Sequence, residues 1–323
     1  MKHGKPVVLL HTDLPDAARS IVVSHHPDLT IATCESYDGL SAALAESGAD
    51  VVYSVRFGGG PGFPRAALVE SPKVRWVSVG GSGCDHLMPW KPEHVTVTNA
   101  AGVAADMMAE YVLGTALAFS LDLKGFARAQ AERRWIDGRV TPIGGRTLLV
   151  LGLGKTGQAA AMRAKAMGMS VLGVRARPQP TPNFDEVHGL DALSRLWPRA
   201  DFILVCVPLL PSTRGLVDAA AFGAMKTGAV LIDVSRGGVC DEAALIEALR
   251  TGRLKGAALD VFAQEPLPQE SPLWAMENVI LTPHCSSVYD GWAEKSVKMF
   301  CENLKRYRSG EALTNVVDPV RGY

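Results

Sequence analysis

The chain has 323 residues, of which 47% are hydrophobic and 20% charged, with 33 basic and 33 acidic side chains. This length is enough for two domains with their own cores, and the balanced charge, with no basic run, disfavours nucleic acid and anionic membranes as partners. No window holds the ~18 uninterrupted apolar residues of a membrane span, and the apolar run at residues 7–10 is too short for a signal peptide, so we expect a cytoplasmic protein.

Two series of alternating strands and helices are predicted along the chain. In the first, strands are expected at residues 5–11, 50–55, 74–79 and 95–98, with helices at 41–47 and around Ala66. An Ala-rich helix pair without a strand follows over residues 101–135. The second series has strands at 147–152, 170–174, 202–207, 229–233, 257–260 and 279–281, followed by a helix at 292–308. Such alternation is typical of parallel α/β sheets, and the second series matches a doubly wound Rossmann unit.

The helices that flank the second series are natural places for the chain to cross between domains. We therefore predict one domain made of residues 1–99 and 292–323. The residues between them, 100–291, are predicted to form an inserted cofactor domain.

The second series opens with a nucleotide-binding turn. An apolar run at residues 148–151 leads into GLGKTG, and a helix-forming stretch follows, which is the context of a dinucleotide-binding G-x-G-x-x-G. The first glycine makes the tight turn, the second lets the backbone approach a pyrophosphate, and the third packs helix against strand. The helix N-terminus offers its N–H groups to the phosphates. The predicted cofactor contacts here are Gly152, Gly154, Lys155, Thr156 and Gly157.

The next strand ends in the wrong residue type for NAD. An acidic residue about 20 positions on would hold the ribose 2′-hydroxyl of NAD. No Asp or Glu occurs between Gln158 and Phe184, and the strand ends in Arg175 and Arg177. Two guanidinium groups suit a 2′-phosphate, which predicts NADP, with NAD still possible. The alternative is that both arginines are ordinary charges at a strand end.

Three polar residues follow later strands, where open α/β sheets bind their ligands. Arg236 enters a Gly-rich turn and can hold a carboxylate and a neighbouring carbonyl oxygen. Glu265 lies in a turn before a proline. His284 can act as a general acid at neutral pH, and a carboxylate beside it would favour the protonated imidazole. Taken singly, each signal is weak, because an ordinary surface residue gives the same pattern.

Several segments together carry a resemblance that covers nearly the whole chain. They are GSGCDHL, NAAGVAADMMAEYVLG, ADFILVCVPLLPSTRGLV, MKTGAVLIDVSRGGVCDEAALIEAL, GRLKGAALDVFAQEPLP and VILTPHCSS. In this order they resemble the D-isomer-specific 2-hydroxyacid dehydrogenases, most weakly over the first 50 residues. The resemblance implies a Rossmann cofactor domain, with a doubly wound parallel sheet, inserted into a smaller flavodoxin-like α/β substrate domain. It also implies an active site in the cleft between the domains.

The resemblance further implies catalytic roles. Arg236 matches the arginine that holds the 2-oxo acid and polarises its ketone. His284 matches the general acid that protonates the ketone oxygen, and Glu265 matches the carboxylate that pairs with it. The N–H groups of Ser82 and Gly83 match the turn that binds the substrate carboxylate.

Other implied contacts surround this centre. Arg56 and glycines 58–60 fall in the loop that caps the substrate. Asp260 matches a residue that contacts the nicotinamide carboxamide. Asn99 and Asp106 lie at the domain crossing, by the cofactor. The remaining implied cofactor contacts, on the nicotinamide side, are Val207, Pro208, Thr213, Ser235, His284 and Ser286.

The sequence departs from the family pattern beside two of these residues. IDVS at residues 232–235 replaces the more usual Asn-Val-Ala and leaves Arg236 intact. Pro-His-Cys-Ser replaces the common Pro-His-Ile-Gly/Ala, and we favour Cys285 as an inert neighbour over a redox-sensitive thiol. The six cysteines include no C-x-x-C pair and no zinc-ligand spacing, which predicts reduced thiols and no metal site.

These residues predict an NADP(H)-preferring D-2-hydroxyacid dehydrogenase that reduces small 2-oxo acids, with glyoxylate and hydroxypyruvate as the leading substrates. Reduction needs protonated His284, so its rate is expected to fall as the pH rises. One alternative is an NADPH-dependent reductase of bulkier 2-oxo acids such as phenylpyruvate or 2-oxoisocaproate. The other is a non-catalytic, dinucleotide-sensing binder.

A homodimer is also predicted, because the helix pair at residues 105–135 carries more Met, Ala, Leu and aromatic side chains than one domain needs. The family usually dimerises through this region, and Trp135 is expected to reach the partner subunit. The alternative is that these side chains pack only between domains.

Overall fold

The computed structural model describes residues 5–56 and 62–322. The chain forms two compact units, one of Met1–Val103 with Tyr289–Tyr323 and one of Ala104–Val288. The boundaries predicted at residues 99/100 and 291/292 lie a few residues from these divisions. Which unit binds which ligand stays a prediction.

The first unit is built around a five-stranded parallel sheet. Its strands are β1 (Val7–His11), β2 (Thr30–Cys34), β3 (Val51–Ser54), β4 (Trp76–Val79) and β5 (Thr96–Thr98). Its helices are α1 (Pro15–His25), α2 (Leu40–Ser47), α3 (Arg65–Val69) and the last helix of the chain, α10 (Trp292–Ser309), with a 3₁₀ turn at Asp85–Leu87. The strand order β2-β1-β3-β4-β5 is flavodoxin-like, which confirms the predicted fold of this unit.

Alternate residues of strand β1 enter two separate cores, because successive side chains of a strand point to opposite faces of its sheet. Leu9 packs with the side chains of α2 and α3. Val8 and Leu10 pack with α1 and α10. In that second core the buried rings of Trp76 and Phe300 lie 5.2 Å apart. Both faces of the sheet are therefore covered, as a parallel sheet requires.

The second unit contains a seven-stranded parallel sheet. Its strands are β6 (Thr147–Leu151), β7 (Ser170–Val174), β8 (Glu186–His188), β9 (Phe202–Val205), β10 (Ala229–Asp233), β11 (Leu254–Leu259) and β12 (Val279–Leu281). Its helices are α4 (Ala105–Ser120), α5 (Leu123–Ala131), α6 (Lys155–Ala166), α7 (Leu193–Leu196), α8 (Ala219–Ala224) and α9 (Glu242–Arg250). Short 3₁₀ turns occur at Leu190–Ala192, Trp197–Arg199 and Pro272–Ala275.

The strand order of this sheet is β12-β11-β10-β9-β6-β7-β8. The direction of winding reverses between β6 and β9, which is the topological switch point of a doubly wound fold. Strands β9 and β10 are buried along their whole length, as expected where helices cover both faces of a parallel sheet. The predicted Rossmann fold of the inserted region is confirmed.

Three elements were not predicted: α1, β2 and β8. Strand β2 is mostly exposed or half-buried and lies at one edge of its sheet, so its sequence TIATC lacks a continuous apolar run. Strand β8 has three half-buried residues and lies at the edge of the other sheet. Edge strands lack one neighbour, which weakens the apolar pattern that identifies central strands. Among the described residues, no helix is long and apolar enough to cross a membrane.

Candidate active site

The glycine-rich turn lies at the switch point of the second sheet, after strand β6 and beside the end of β9. Gly152 has φ +101°, and a Cβ there would lie 2.7 Å from the carbonyl oxygen of Cys206. A Cβ on Gly157 would collide with the Gly152 carbonyl oxygen. Gly154 has φ −74°, and no atom lies within 4 Å of where its Cβ would be. The outer glycines are therefore needed for the fold, whereas the middle glycine borders open space.

This arrangement fits a dinucleotide. No side chain caps helix α6, so the first N–H groups of the helix are available to an anion. Lys155 and Thr156 begin the helix, with Lys155 exposed. A pyrophosphate can approach the backbone at Gly154 because that position has no side chain.

Two glycine substitutions should separate folding from cofactor binding. Gly157→Ala places a methyl group against backbone, which should lower the free energy of unfolding by about 1–3 kcal/mol, the range found for overpacked sites. Gly154→Ala should leave stability nearly unchanged and weaken dinucleotide binding, because its methyl group enters the open space. Thermal unfolding and NADPH titration of both variants measure this. Loss of stability in Gly154→Ala with unchanged binding would contradict the assignment.

The two arginines after strand β7 have no partner within the described part of the chain: neither guanidinium makes a hydrogen bond or an ion pair there. Arg175 is half-buried and Arg177 is exposed. The carboxylates of the adjacent strand segment are already engaged elsewhere. Lys165 bonds Asp185 at 2.7 Å, and Arg199 bonds Glu186 at 3.0 Å. The positive charge at the end of β7 is therefore not neutralised by these carboxylates.

The predicted catalytic side chains follow three neighbouring parallel strands. Arg236 follows β10, Glu265 follows β11, and His284 follows β12. Since the carboxyl ends of parallel strands meet at one edge of a sheet, the three turns converge. The structure thus brings together all three residues that the sequence analysis selected.

The contact between histidine and glutamate is direct. Nδ1 of His284 lies 2.8 Å from Oε2 of Glu265, and both side chains are about one third exposed, at 32% and 33%. Nη1 of Arg236 lies 3.5 Å from Nε2 of His284, at the outer limit of hydrogen-bond distance, and donates to the Ser235 carbonyl at 2.8 Å. With Nδ1 bonded to the glutamate, Nε2 is the nitrogen that remains for proton transfer.

Glu265 is held in its charged form. Burial alone would raise the pKa of its carboxyl group. The hydrogen bond and charge of His284, with the Phe262 N–H and Arg236, outweigh burial and lower the pKa of Glu265 below its usual value. A carboxylate in this position fixes the orientation of the imidazole ring.

The turn that carries His284 is wrapped around a buried carboxylate. His284 itself has φ +52°, a conformation that is uncommon for residues other than glycine. Asp260 is 1% exposed, and its two oxygens accept hydrogen bonds from the N–H groups of Cys285 and Ser286 at 2.9 and 3.0 Å. The Thr282 hydroxyl donates to the same carboxylate at 2.6 Å. Successive N–H groups around one anion form a backbone nest, which holds the turn in shape.

Cys285 lies in this nest but is not activated by it. Burial of the thiol, with the negative Asp260 nearby, raises the pKa of Cys285. A raised pKa keeps the side chain as a weakly nucleophilic thiol. This supports the interpretation of Cys285 as an inert neighbour of His284.

A second buried carboxylate shapes the turn that carries Arg236. Asp233, 3% exposed, accepts hydrogen bonds from the N–H of Ser235 at 2.9 Å and from its hydroxyl at 2.5 Å. Burial raises the pKa of Asp233, although the bonds from Ser235 act against that shift. Gly237, directly after Arg236, abuts the carbonyl oxygen of Phe262, so a Cβ at this position would collide with the backbone. The Arg236 turn and the Glu265 turn are thus packed backbone to backbone.

Except for Asn99, which lies in the first unit, the remaining residues predicted near the cofactor lie in the second unit. Asp106 begins α4 and bonds Arg163 of α6 at 2.9 Å. The loop after β9 is bent by Thr213, whose hydroxyl donates to the Pro208 carbonyl at 2.6 Å. Val207 is half-buried in this loop. Their contacts with a cofactor stay predictions.

Apart from Arg236, which lies in the second unit, the predicted substrate contacts lie in the first unit. Ser82 and Gly83 follow β4, and their N–H groups donate no hydrogen bond within the described residues. The Asn99 amide fixes this turn by donating to the Ser82 carbonyl at 2.7 Å. Arg56 follows the neighbouring strand β3 and is exposed. Glycines 58–60 lie outside the described residues.

Sequence reasoning missed two contributors, Thr282 and Asp233. Neither has a spacing signal of its own. Thr282 precedes the Pro-His pair, and Asp233 stands where the family more usually has asparagine, so only the departure from pattern marked it. Within residues 5–56 and 62–322, no group of three or more His, Cys, Asp or Glu side chains could hold a metal ion.

Comparisons with known proteins show the family of the chain. Residues 113–286 match the family model described as D-isomer specific 2-hydroxyacid dehydrogenase, NAD binding domain. A D-3-phosphoglycerate dehydrogenase of Methanocaldococcus jannaschii is 33% identical over 259 residues, 79% of this chain and 49% of that protein. The chain therefore spans about half the length of that relative.

Two solved structures cover almost the whole chain. A D-isomer specific 2-hydroxyacid dehydrogenase from Xanthobacter autotrophicus, in complex with NADPH and MES, has a TM-score of 0.86 and 33% identity, covering 99% of this chain and 100% of that one. An NADPH-dependent glyoxylate/hydroxypyruvate reductase from Sinorhizobium meliloti, with NADP and sulfate, has a TM-score of 0.83 and 27% identity, with the same coverage of both chains. Both relatives were solved with a dinucleotide that carries the 2′-phosphate.

Proposed function

Because the chain belongs to the D-isomer-specific 2-hydroxyacid dehydrogenase family, whose members are NAD(P)-dependent oxidoreductases that act on CH–OH donors, we propose that it reduces small 2-oxo acids with NADPH. Glyoxylate and hydroxypyruvate are the leading substrates. The observation that carries the proposal is the 2.8 Å contact between His284 and Glu265 with Arg236 beside it. This arrangement provides a proton donor and a carboxylate-binding cation at one edge of the Rossmann sheet.

In the proposed reaction the chain binds, orients and protonates the substrate. Arg236 holds the substrate carboxylate and polarises the ketone through its guanidinium group. When bound, the nicotinamide cofactor supplies the hydride that is transferred to the ketone carbon. Protonated His284 donates from Nε2 to the ketone oxygen, and Glu265 stabilises the charged imidazole before transfer. The rate of reduction should fall as the pH rises, because the neutral imidazole has no proton to give.

The preference for NADPH rests on Arg175 and Arg177. Their guanidinium groups make no hydrogen bond or ion pair among the described residues. A 2′-phosphate would accept charge-assisted hydrogen bonds from both. The relatives solved with NADPH and NADP support the same choice. Lys155 and the N–H groups of α6 would hold the pyrophosphate.

The choice of small acids rests on the Sinorhizobium relative, which is a glyoxylate/hydroxypyruvate reductase. The testing experiment measures initial rates with NADPH and with NADH on glyoxylate, hydroxypyruvate, pyruvate, 3-phosphohydroxypyruvate and phenylpyruvate. The highest kcat/KM is expected with NADPH and with glyoxylate or hydroxypyruvate. Activity confined to phenylpyruvate or to the phosphorylated acid would overturn the proposed substrate class. NADPH binding without any turnover would overturn the proposal that the protein is an enzyme.

The proposed enzyme is a homodimer that associates through residues 105–135. Trp135 follows α5 with its side chain 97% exposed, and Leu123 of α5 is 50% exposed. The proposed dimer would cover these apolar side chains. Light scattering at micromolar concentration should give the mass of two chains, and the mass of one chain would contradict the dimer.

A further inference from the structure

A chain of hydrogen bonds leads from helix α4 to the turn that carries His284. The Tyr111 hydroxyl lies 2.9 Å from Oγ1 of Thr282. The Thr282 hydroxyl donates to Asp260 at 2.6 Å, and the same carboxylate holds the two N–H groups that follow His284. Tyr111 is therefore two hydrogen bonds away from the carboxylate that shapes the catalytic turn.

The direction of these bonds follows from the donors available. A hydroxyl has one proton, and the Thr282 proton is directed at the Asp260 carboxylate. Tyr111 must then be the donor to Oγ1 of Thr282. Burial raises the pKa of Tyr111 to about 12, so the phenol keeps its proton at any physiological pH. Each hydrogen bond in the series is therefore donated in the same direction, from the tyrosine to the threonine and from the threonine to the carboxylate.

The two ends of this series of hydrogen bonds differ in how they are packed. Tyr111 lies in α4, whose neighbouring residues Val112 and Ala116 are buried in one of the two cores of the second unit. His284 lies in a short turn with a positive φ, and the hydrogen bonds of a helix do not hold this turn. A hydrogen bond from a packed helix restricts the turn more than a bond from another loop would.

We infer that Tyr111 is a positioning residue, whose hydroxyl acts through Thr282 and Asp260 to hold His284 in the orientation that proton transfer requires. The inference rests on the proposed function, because it takes His284 to be the proton donor. From the sequence, Asp106 of α4 was assigned to the cofactor, whereas Tyr111 was given no role.

The test is Tyr111→Phe, which removes the hydroxyl and keeps the ring. We expect kcat for reduction to fall ~10-fold, because a small displacement of a catalytic group lowers the rate steeply. The KM values for NADPH and for the 2-oxo acid should change less than about two-fold, since binding is left intact. The solvent deuterium isotope effect on kcat should rise, because proton transfer becomes more strongly rate-limiting.

Variants of Thr282 and Thr115 provide the matched comparisons. Thr282→Val should reproduce the loss of kcat, and Thr282→Ser, which keeps the hydroxyl, should restore it. The double variant Tyr111→Phe/Thr282→Val should be no slower than Thr282→Val alone, because the two substitutions interrupt the same series of hydrogen bonds. Thr115→Val removes a buried hydroxyl one turn along α4 that bonds only helix carbonyls, and it should retain the wild-type kcat.

Amide hydrogen exchange gives a readout that does not need activity. The N–H groups of Cys285 and Ser286 should exchange faster in Tyr111→Phe and Thr282→Val than in Thr115→Val. If Tyr111→Phe keeps the wild-type kcat, solvent isotope effect and amide exchange rates, the inference is overturned. If Tyr111→Phe does not fold, the Thr282 pair decides the question by the same measurements. If the wild-type enzyme reduces no 2-oxo acid, the proposed function fails, and the exchange rates still decide whether Tyr111 holds the turn.

Discussion

Replacing His284 by alanine is expected to lower kcat for 2-oxo acid reduction by ~10²–10⁴-fold, the range typical of a lost general acid. The structure gives the reason, because Nδ1 of His284 is committed to Glu265 at 2.8 Å and Nε2 is the nitrogen left to donate. Initial rates at saturating NADPH, measured over a pH series, test this. The wild-type rate should fall as the pH rises, whereas the variant should lose that dependence.

The matched control is His25→Ala. His25 is an exposed histidine at the end of α1 whose ring bonds only local groups of its own helix, Ile21 and Ser24. It should leave kcat and its pH dependence unchanged. Binding of NADPH to His284→Ala should persist, because the proposed site for the phosphates is the glycine-rich turn. A His284→Ala enzyme with wild-type kcat would remove the basis of the proposed mechanism.

Replacing both Arg175 and Arg177 by alanine should weaken NADPH binding ~10²-fold and leave NADH binding within about two-fold, because a hydrogen bond to a charged group contributes about 1.5–3 kcal/mol and NADH lacks the 2′-phosphate. Neither guanidinium group makes a hydrogen bond or ion pair within the described ranges, so their removal should break no internal polar interaction. Dissociation constants from titration calorimetry with each dinucleotide measure the difference.

Arg250→Ala is the control for charge alone. Arg250 lies on α9 and bonds Glu247 of the same helix. Arg250→Ala removes a positive charge from the same unit but leaves the end of β7 unchanged. The ratio of NADPH to NADH affinity should therefore equal that of the wild type. If the double arginine variant also keeps that ratio, the two arginines are ordinary strand-end charges and the cofactor assignment is wrong.

The central strands could be predicted because their signals are local, whereas the three candidate catalytic residues were selected because several motifs together resemble one family. A buried strand such as β10 is a continuous apolar run, and Arg236 follows it directly. The glycines at 152, 154 and 157 have the spacing that the turn itself requires. Their separate roles, two against backbone and one against open space, needed coordinates, because the spacing is identical whichever glycine faces a ligand.

What the sequence could not supply are bonds between residues far apart in the chain. Tyr111 and Thr282 are separated by 171 positions, and nothing in either local pattern connects them. Asp260 was assigned to the cofactor by resemblance, whereas the structure gives its carboxylate a further task in holding residues 285 and 286. Edge strands β2 and β8 were missed for a different reason, since partial exposure removes the apolar run that prediction depends on.

The contact between Gly237 and the Phe262 carbonyl oxygen ties the position of Arg236 to that of Glu265. A backbone oxygen cannot swing aside as a side chain can, so a Cβ at position 237 would separate the two turns that carry Arg236 and Glu265. An arginine followed by a larger residue would then be displaced from the histidine, even with all three catalytic side chains present. Loss of that one glycine is therefore expected to mark a pseudoenzyme among the homologues of this protein.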